Sequence, residues 1–267
     1  MSLSSANLRS DRSQGYVKVP EVTGYFWVIK LLTTAMGEAL SDFLVYHMNP
    51  YLAVFLGAAF LAGAFVLQFR VRRYIASVYW LVVLMVAIFG TMVADATHIV
   101  LGVPYWLSSL VFAISVAIVL TVWRKVEHTL SIHSIVTKRR EAFYWLTVLC
   151  TFALGTAAGD MTASTFHLGY LTSGILFTVV FAIPAVGFLH FRWNEVFSFW
   201  FAYILTRPVG ASFSDWVSVP HSMGGLGLGK GPVAAYLFIP IVILVAYLTV
   251  SQRDVQKQAG APRSVGV

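Results

Sequence analysis

Eight apolar runs, separated by short polar interruptions, make up most of the chain: roughly residues 24–47, 51–69, 76–101, 105–123, 142–165, 170–190, 196–218 and 232–250. A helix needs about 20 mainly apolar residues to cross the hydrocarbon core of a bilayer. The runs meet or approach that length, so the pattern predicts an all-α integral membrane protein with eight transmembrane helices. They form one domain over residues 21–251. Residues 1–20 and 252–267 read as short mobile tails.

The polar interruptions fall into two classes. One set holds Arg70, Arg72 and Arg73, then Arg124, Lys125, Lys138, Arg139 and Arg140, then Arg192. Both tails are basic as well, through Lys18 and Arg253 among others. The alternate set, around Asn49-Pro50, Gly102 to Pro104, Phe166 to Gly169 and Pro220 to Gly231, carries one basic residue, Lys230. Basic loops stay in the cytoplasm. This places both termini there and implies a multi-pass protein of the cell's inner (plasma) membrane. The longest internal loop, about 125–141 with His128 and His133, reads as a solvated loop near anionic headgroups.

Composition agrees. The chain is 58% hydrophobic and 11% charged, with a mean hydropathy of +0.79. Soluble domains carry about 25% charged residues. The net charge of +7 is explained by topology, and its dispersal over short loops argues against nucleic acid as a partner. The single cysteine, Cys150, excludes a disulfide framework. Residues 1–20 lack the apolar core of a signal peptide, so no cleavage is expected.

Aligning the tryptophans exposes a fourfold repeat. Trp27, Trp80, Trp145 and Trp200 open the odd-numbered helices, preceded by Phe26, Tyr79, Tyr144 and Phe199. Ten residues after each comes Gly37, Gly90, Gly155 or Gly210, and five further Asp42, Asp95, Asp160 or Asp215. The residue before each of these aspartates is small: Ser41, Ala94, Gly159 and Ser214. Four of the six aspartates occupy this one place in the repeat, which chance does not produce. Three even helices open on Pro50-Tyr51, Pro104-Tyr105 and Gly169-Tyr170, the fourth on Gly231-Pro232. The chain thus reads as four parallel two-helix repeats, about 24–70, 76–124, 142–191 and 196–250.

This pattern resembles a family of bacterial membrane proteins described as four tandem repeats, each of two transmembrane segments with a signature tryptophan. Its members are labelled uncharacterised membrane-anchored proteins. Residues 30–42 and 204–215 are the most typical stretches, and the resemblance covers about residues 20–250. It implies the topology and carries no activity.

The glycine and the small residue four positions later suit close helix packing. They also suit contact between copies, so a homo-oligomer is compatible with the sequence. The aromatic-Trp pairs read as interfacial anchors. Each aspartate lies fifteen residues beyond its Trp, roughly 22 Å of helix rise, which places it in the outer third of the membrane. Such aspartates either cap nearby backbone or face one water-filled path. Glu38 and Asp42 are i,i+4 on one helix face. Thr91 and Thr156 take the Glu38 position in repeats two and three, and Ala211 takes it in repeat four. A histidine follows each aspartate: His47, His98, His167 and His221. Lys30 is close enough to the cytoplasmic face to snorkel. Arg207 lies near mid-membrane before Pro208, which should kink its helix; Glu38 is its expected partner.

Intramembrane ionisable groups point first to transport. The expectation is a transporter of a small cation, a divalent metal ion among the candidates, coupled to protons. The binding residues would be Asp42, Asp95, Asp160, Asp215, Glu38, Arg207, Thr91 and Thr156. Metal ligands would come from Asp42, Asp95, His98, Asp160, Asp215 and Glu38. The metal is then a substrate, and no resident cofactor is expected. The alternatives are a structural, sensory or partner-binding protein, and a membrane enzyme or electron carrier. No G-x-S-x-G or H-E-x-x-H motif favours an enzyme.

Overall fold

The computed structural model describes residues 16–256. Among these residues there are eight long α-helices: α1 Gly24–His47, α2 Pro50–Arg70, α3 Ala76–Ile99, α4 Tyr105–Glu127, α5 Lys138–Asp160, α6 Gly169–Phe191, α7 Glu195–Ser218 and α8 Lys230–Ser251. Their starts carry the expected side-chain caps at Thr23, Asn49, Thr137 and Asn194, which accept from otherwise unpaired amides of the first turn. Six of the helices are long and apolar enough to cross a membrane. The two that fall short are α1 and α7, which carry Lys30, Glu38 and Asp42, and Glu195, Arg207 and Asp215.

The odd helices form a closed inner ring in the order α1, α3, α5, α7 and back to α1. Two layers of equivalent contacts close it. In the first, the aromatic residue before each Trp meets the Trp of the next ring helix. Phe26 contacts Trp80 at 5.7 Å between centroids, Tyr79 contacts Trp145 at 5.3 Å, Tyr144 contacts Trp200 at 6.0 Å, and Phe199 contacts Trp27 at 6.0 Å. In the second, each repeat glycine faces the residue seven positions after the next Trp: Gly37 faces Ala87, Gly90 Phe152, Gly155 Arg207, and Gly210 Thr34. A methyl group at any of the four would lie closer than 3.0 Å to its neighbour.

The even helices form an outer layer. Each packs mainly on the first helix of the following repeat: α2 on α3, α4 on α5, α6 on α7 and α8 on α1. The two helices of a repeat are therefore consecutive in sequence but are not each other's main packing partners. Burial follows position. Within their apolar windows α3 and α5 are 67% and 61% buried, whereas α2, α4 and α8 are each 22% buried. The outer helices present large apolar side chains such as Phe55, Phe60, Ile118, Val179 and Ile243.

Several expectations change here. The repeat aromatics are not anchors on an outer rim. Trp80, Trp145 and Trp200 are buried in the ring, and Trp27 packs partly buried against it. Residues 17–21 and 254–256 are not loose ends. The Lys18 amide donates to the Ile135 carbonyl, the Tyr74 amide to Val17, and the Glu21 amide to Asp254. Lys18 pairs with Glu141 at 2.5 Å. These segments close one end of the ring, called the terminal end below. The 128–137 loop joins the closure through buried Ile132 and Ile135 instead of lying free in solvent.

Candidate functional site

At the end of the ring opposite the termini lies a cavity of about 740 Å³. Four helices of one register each deliver an aspartate to it: Asp42 from α1, Asp95 from α3, Asp160 from α5 and Asp215 from α7. The fixed spacing from Trp to Asp, combined with two layers of equivalent ring contacts, puts all four at one level. Glu38 adds a fifth carboxyl. Asp160 is the last residue of α5, where the helix widens into a π turn over Met161–Thr165. Such turns are frequent at functional sites.

Beyond Glu38, on the inner side of the cavity, lie Arg207 and Thr91, neither of which lines it. Arg207 is almost fully buried and pairs with the buried Glu38. It also donates to the Thr34 carbonyl at 3.0 Å and to the Thr91 hydroxyl. Arg207, Glu38 and Thr91, from α7, α1 and α3, are thus tied together at the axis. Gly155 makes room for the arginine by packing against its Cβ and Cγ.

Lys230, the first residue of α8, reaches into the same cavity. Its ammonium lies 2.6 Å from Asp42 Oδ2 and also pairs with Asp215. Ligand oxygens of Glu38, Asp42 and Asp215 lie within 4.8 Å of one another, close enough for a single metal ion to contact all three. Asp95 and Asp160 have no ion-pair partner among the described residues. Chemically, this is a chamber lined by five acids and one cation, Lys230, with Arg207 behind it paired to Glu38.

Other expected site residues sit elsewhere. His98, expected among the metal ligands, turns away from the acids. Its Nδ1 is 2.9 Å from the Val103 carbonyl and its ring stacks on Tyr105. The end of α3 leaves carbonyls and a loop that need a donor, and His98 supplies one. His47 and His221 do similar work, with Nδ1 2.8 Å from the Phe43 carbonyl and 2.7 Å from the Gly225 carbonyl. His221 nevertheless lines the cavity, whereas His167 is exposed, with a φ of 54°. The Thr156 hydroxyl donates to the Phe152 carbonyl of its own helix, and the residue does not line the cavity. Lys30 does not snorkel. It is buried inside the ring with its amine over the Phe152 and Tyr203 rings.

Sequence reasoning missed Lys230, Tyr46, Tyr105 and Tyr170 as lining groups. Two signals were available. Lys230 is the one basic residue in an otherwise uncharged set of connections, and Tyr105 and Tyr170 open even helices at equivalent repeat positions.

Four segments of the chain, residues 25–74, 78–129, 143–192 and 198–254, match the repeat described as Repeat of Unknown Function (DUF347). They account for most of the chain, which therefore belongs to this repeat family. No curated protein and no solved structure matches the chain.

Proposed function

We propose that this member of the DUF347 repeat family is an integral membrane transporter of a small cation, bound in the acidic cavity of its inner ring. The observation that carries the reading is the carboxyl excess: four repeats deliver Asp42, Asp95, Asp160 and Asp215 to one cavity, Glu38 joins them, and only Arg207 and Lys230 answer. An uncompensated cluster of acids at membrane depth is costly unless it serves ions or protons. A divalent ion suits it, because hard cations such as Mg²⁺ or Mn²⁺ prefer carboxylate oxygens.

The membrane setting draws on the apolar outer layer and on six helices long enough to span. Basic residues gather at the terminal end, which supports a cytoplasmic position for it in the inner membrane. The acidic cavity then opens outward. The Glu38–Arg207 pair closes it toward the cytoplasm, so passage requires that pair to part. Cation binding exchanges for protons.

Isothermal titration of the purified protein against a panel of divalent cations at two pH values tests this. The expected result is binding that releases protons and is lost in Asp95→Asn, since Asp95 lines the cavity without an ion-pair partner. Absence of binding to every cation in the panel, by a folded protein, sinks the reading. A second reading, that the charges only brace the ring, is favoured by Lys230 already bridging Asp42 and Asp215. Absence of binding by the wild type, with an equally stable Asp95→Asn protein, would move the weight there.

A further inference from the structure

Lys30 is a buried amine that the acidic cavity does not use. It lies on α1 eight residues before Glu38, about 12 Å of helix rise toward the terminal end. Its exposure is 1%, and its amine has no hydrogen-bond partner. Instead the nitrogen sits 3.8 Å from the centroid of the Phe152 ring and 4.2 Å from that of Tyr203. The Arg207 guanidinium lies 5.6 Å from the centroid of the same Phe152 ring. Two cationic side chains thus share one aromatic ring, and Glu38 pairs with only one of them.

The charge on Lys30 is held by opposing influences. Two ring faces favour an ammonium. The missing counterion, the dry surroundings and the nearby Arg207 disfavour it. Ionisable groups on the surrounding helices are Arg207 and Tyr203 on α7, Tyr144 on α5, Tyr79 on α3 and Glu38 on α1 itself.

We propose that Lys30 is a proton-binding site whose occupancy alternates with that of the acidic cavity. The inference rests on the cation reading above. A cation held by the carboxyls adds positive charge on the far side of Arg207, and the ammonium gives up its proton. When the cation leaves, the amine takes a proton back.

Buried hydroxyls lie between it and the terminal end. The Tyr203 hydroxyl is buried and unpartnered. The Tyr144 and Tyr79 hydroxyls are 2.5 Å apart. Tyr74 packs on Tyr79 at 5.6 Å between centroids and donates to Asp254. Burial raises the Asp254 carboxyl above the ordinary carboxylate range, which suits it to receive a proton. Transfer along these groups requires the Tyr203 hydroxyl to turn toward a partner, after which each hydroxyl accepts one proton and passes one on.

The test reconstitutes the full chain in phospholipid vesicles containing a pH-sensitive dye and uses Mn²⁺ as the probe. Mn²⁺ entry into wild-type vesicles should be accompanied by proton exit and accelerated by an opposing pH gradient. Lys30→Met should bind Mn²⁺ within about twofold of wild type, while proton movement per Mn²⁺ falls at least about tenfold. Lys30→Arg keeps the charge but cannot release it, because a guanidinium does not deprotonate in proteins. It should show the same loss, and it decides the matter should Lys30→Met fail to fold. Proton exchange at the wild-type ratio in either variant overturns the proposal, as does Mn²⁺ entry into wild-type vesicles without proton movement. Loss of Mn²⁺ binding in both variants overturns it too, by making Lys30 a support for the cavity. Failure of the wild type to bind Mn²⁺ or any other cation of the panel instead overturns the transport reading from which it starts.

Discussion

The two ends of the inner ring use the same four helices in opposite ways. At the terminal end the repeats are chemically equivalent: every aromatic residue before a Trp meets the Trp of the next helix. At the other end the four aspartates keep the symmetry, but Glu38, Arg207 and Lys230 each occur once. Closing a ring requires the same contact four times. Holding one ligand requires no such equality, so duplication can build the scaffold while single substitutions specialise its mouth.

The most damaging way to break the asymmetric end is Arg207→Met. Glu38 is buried, and removing its partner leaves an uncompensated charge at a cost of about 3–5 kcal/mol. The unfolding midpoint in detergent should fall accordingly. Adding Glu38→Gln should recover most of the loss, because the orphaned charge is gone. If the double variant is as unstable as the single one, the cost comes from lost packing against Gly155 and Phe152, and the ion pair is incidental.

The symmetric part is tested at the glycines. Gly90→Ala and Gly210→Ala should each cost about 1–3 kcal/mol, since the new methyl meets the Cβ of Phe152 or Thr34, which cannot swing aside. Gly63→Ala is the control. It has nothing within 4 Å, and the better helix propensity of alanine should leave stability unchanged or raised by up to about 1 kcal/mol. Equal costs at Gly90 and Gly210, measured by thermal unfolding, sharpen the picture of equivalent ring contacts. A cost at only one of them breaks it.

Most of the architecture was legible in the sequence because it is periodic. The eight apolar runs match the eight helices to within five residues at every end, and the Trp–Gly–Asp register marks which helices line the ring. The pairing of Arg207 with Glu38 followed from similar depth and the need of a buried cation for a partner. The packing of each outer helix on the next repeat was not legible, because a hairpin in sequence says nothing about lateral neighbours when both helices are apolar. The aromatic pairs misled for a related reason: Trp near a helix start suits a lipid interface and a ring interior equally well. Lys30 misled because snorkelling needs an open path to the surface, and Phe152 and Tyr203 take that space. His98 misled because it lies at the end of α3, where the Val103 carbonyl of the following loop takes its Nδ1.

The subtlest test concerns Lys230, which stands in the cavity where an incoming cation would be expected. Its ammonium bridges Asp42 and Asp215, two of the three residues whose oxygens could share one ion. A bound cation must either displace this amine or settle with Asp95 and Asp160 beside it. The amine starts α8 directly after Gly229, whose φ of 81° suits glycine, so a short turn connects it to the loop over the cavity. If the amine acts as a tethered competitor, Lys230→Met should tighten divalent-cation binding about tenfold, or about 1.4 kcal/mol, in a titration at fixed pH. Unchanged affinity would place the ion on the Asp95 and Asp160 side, with Lys230 left in place. Weaker binding would mean that Lys230 assembles the acids it bridges, and the asymmetry of the mouth would then belong to its structure before its ligand.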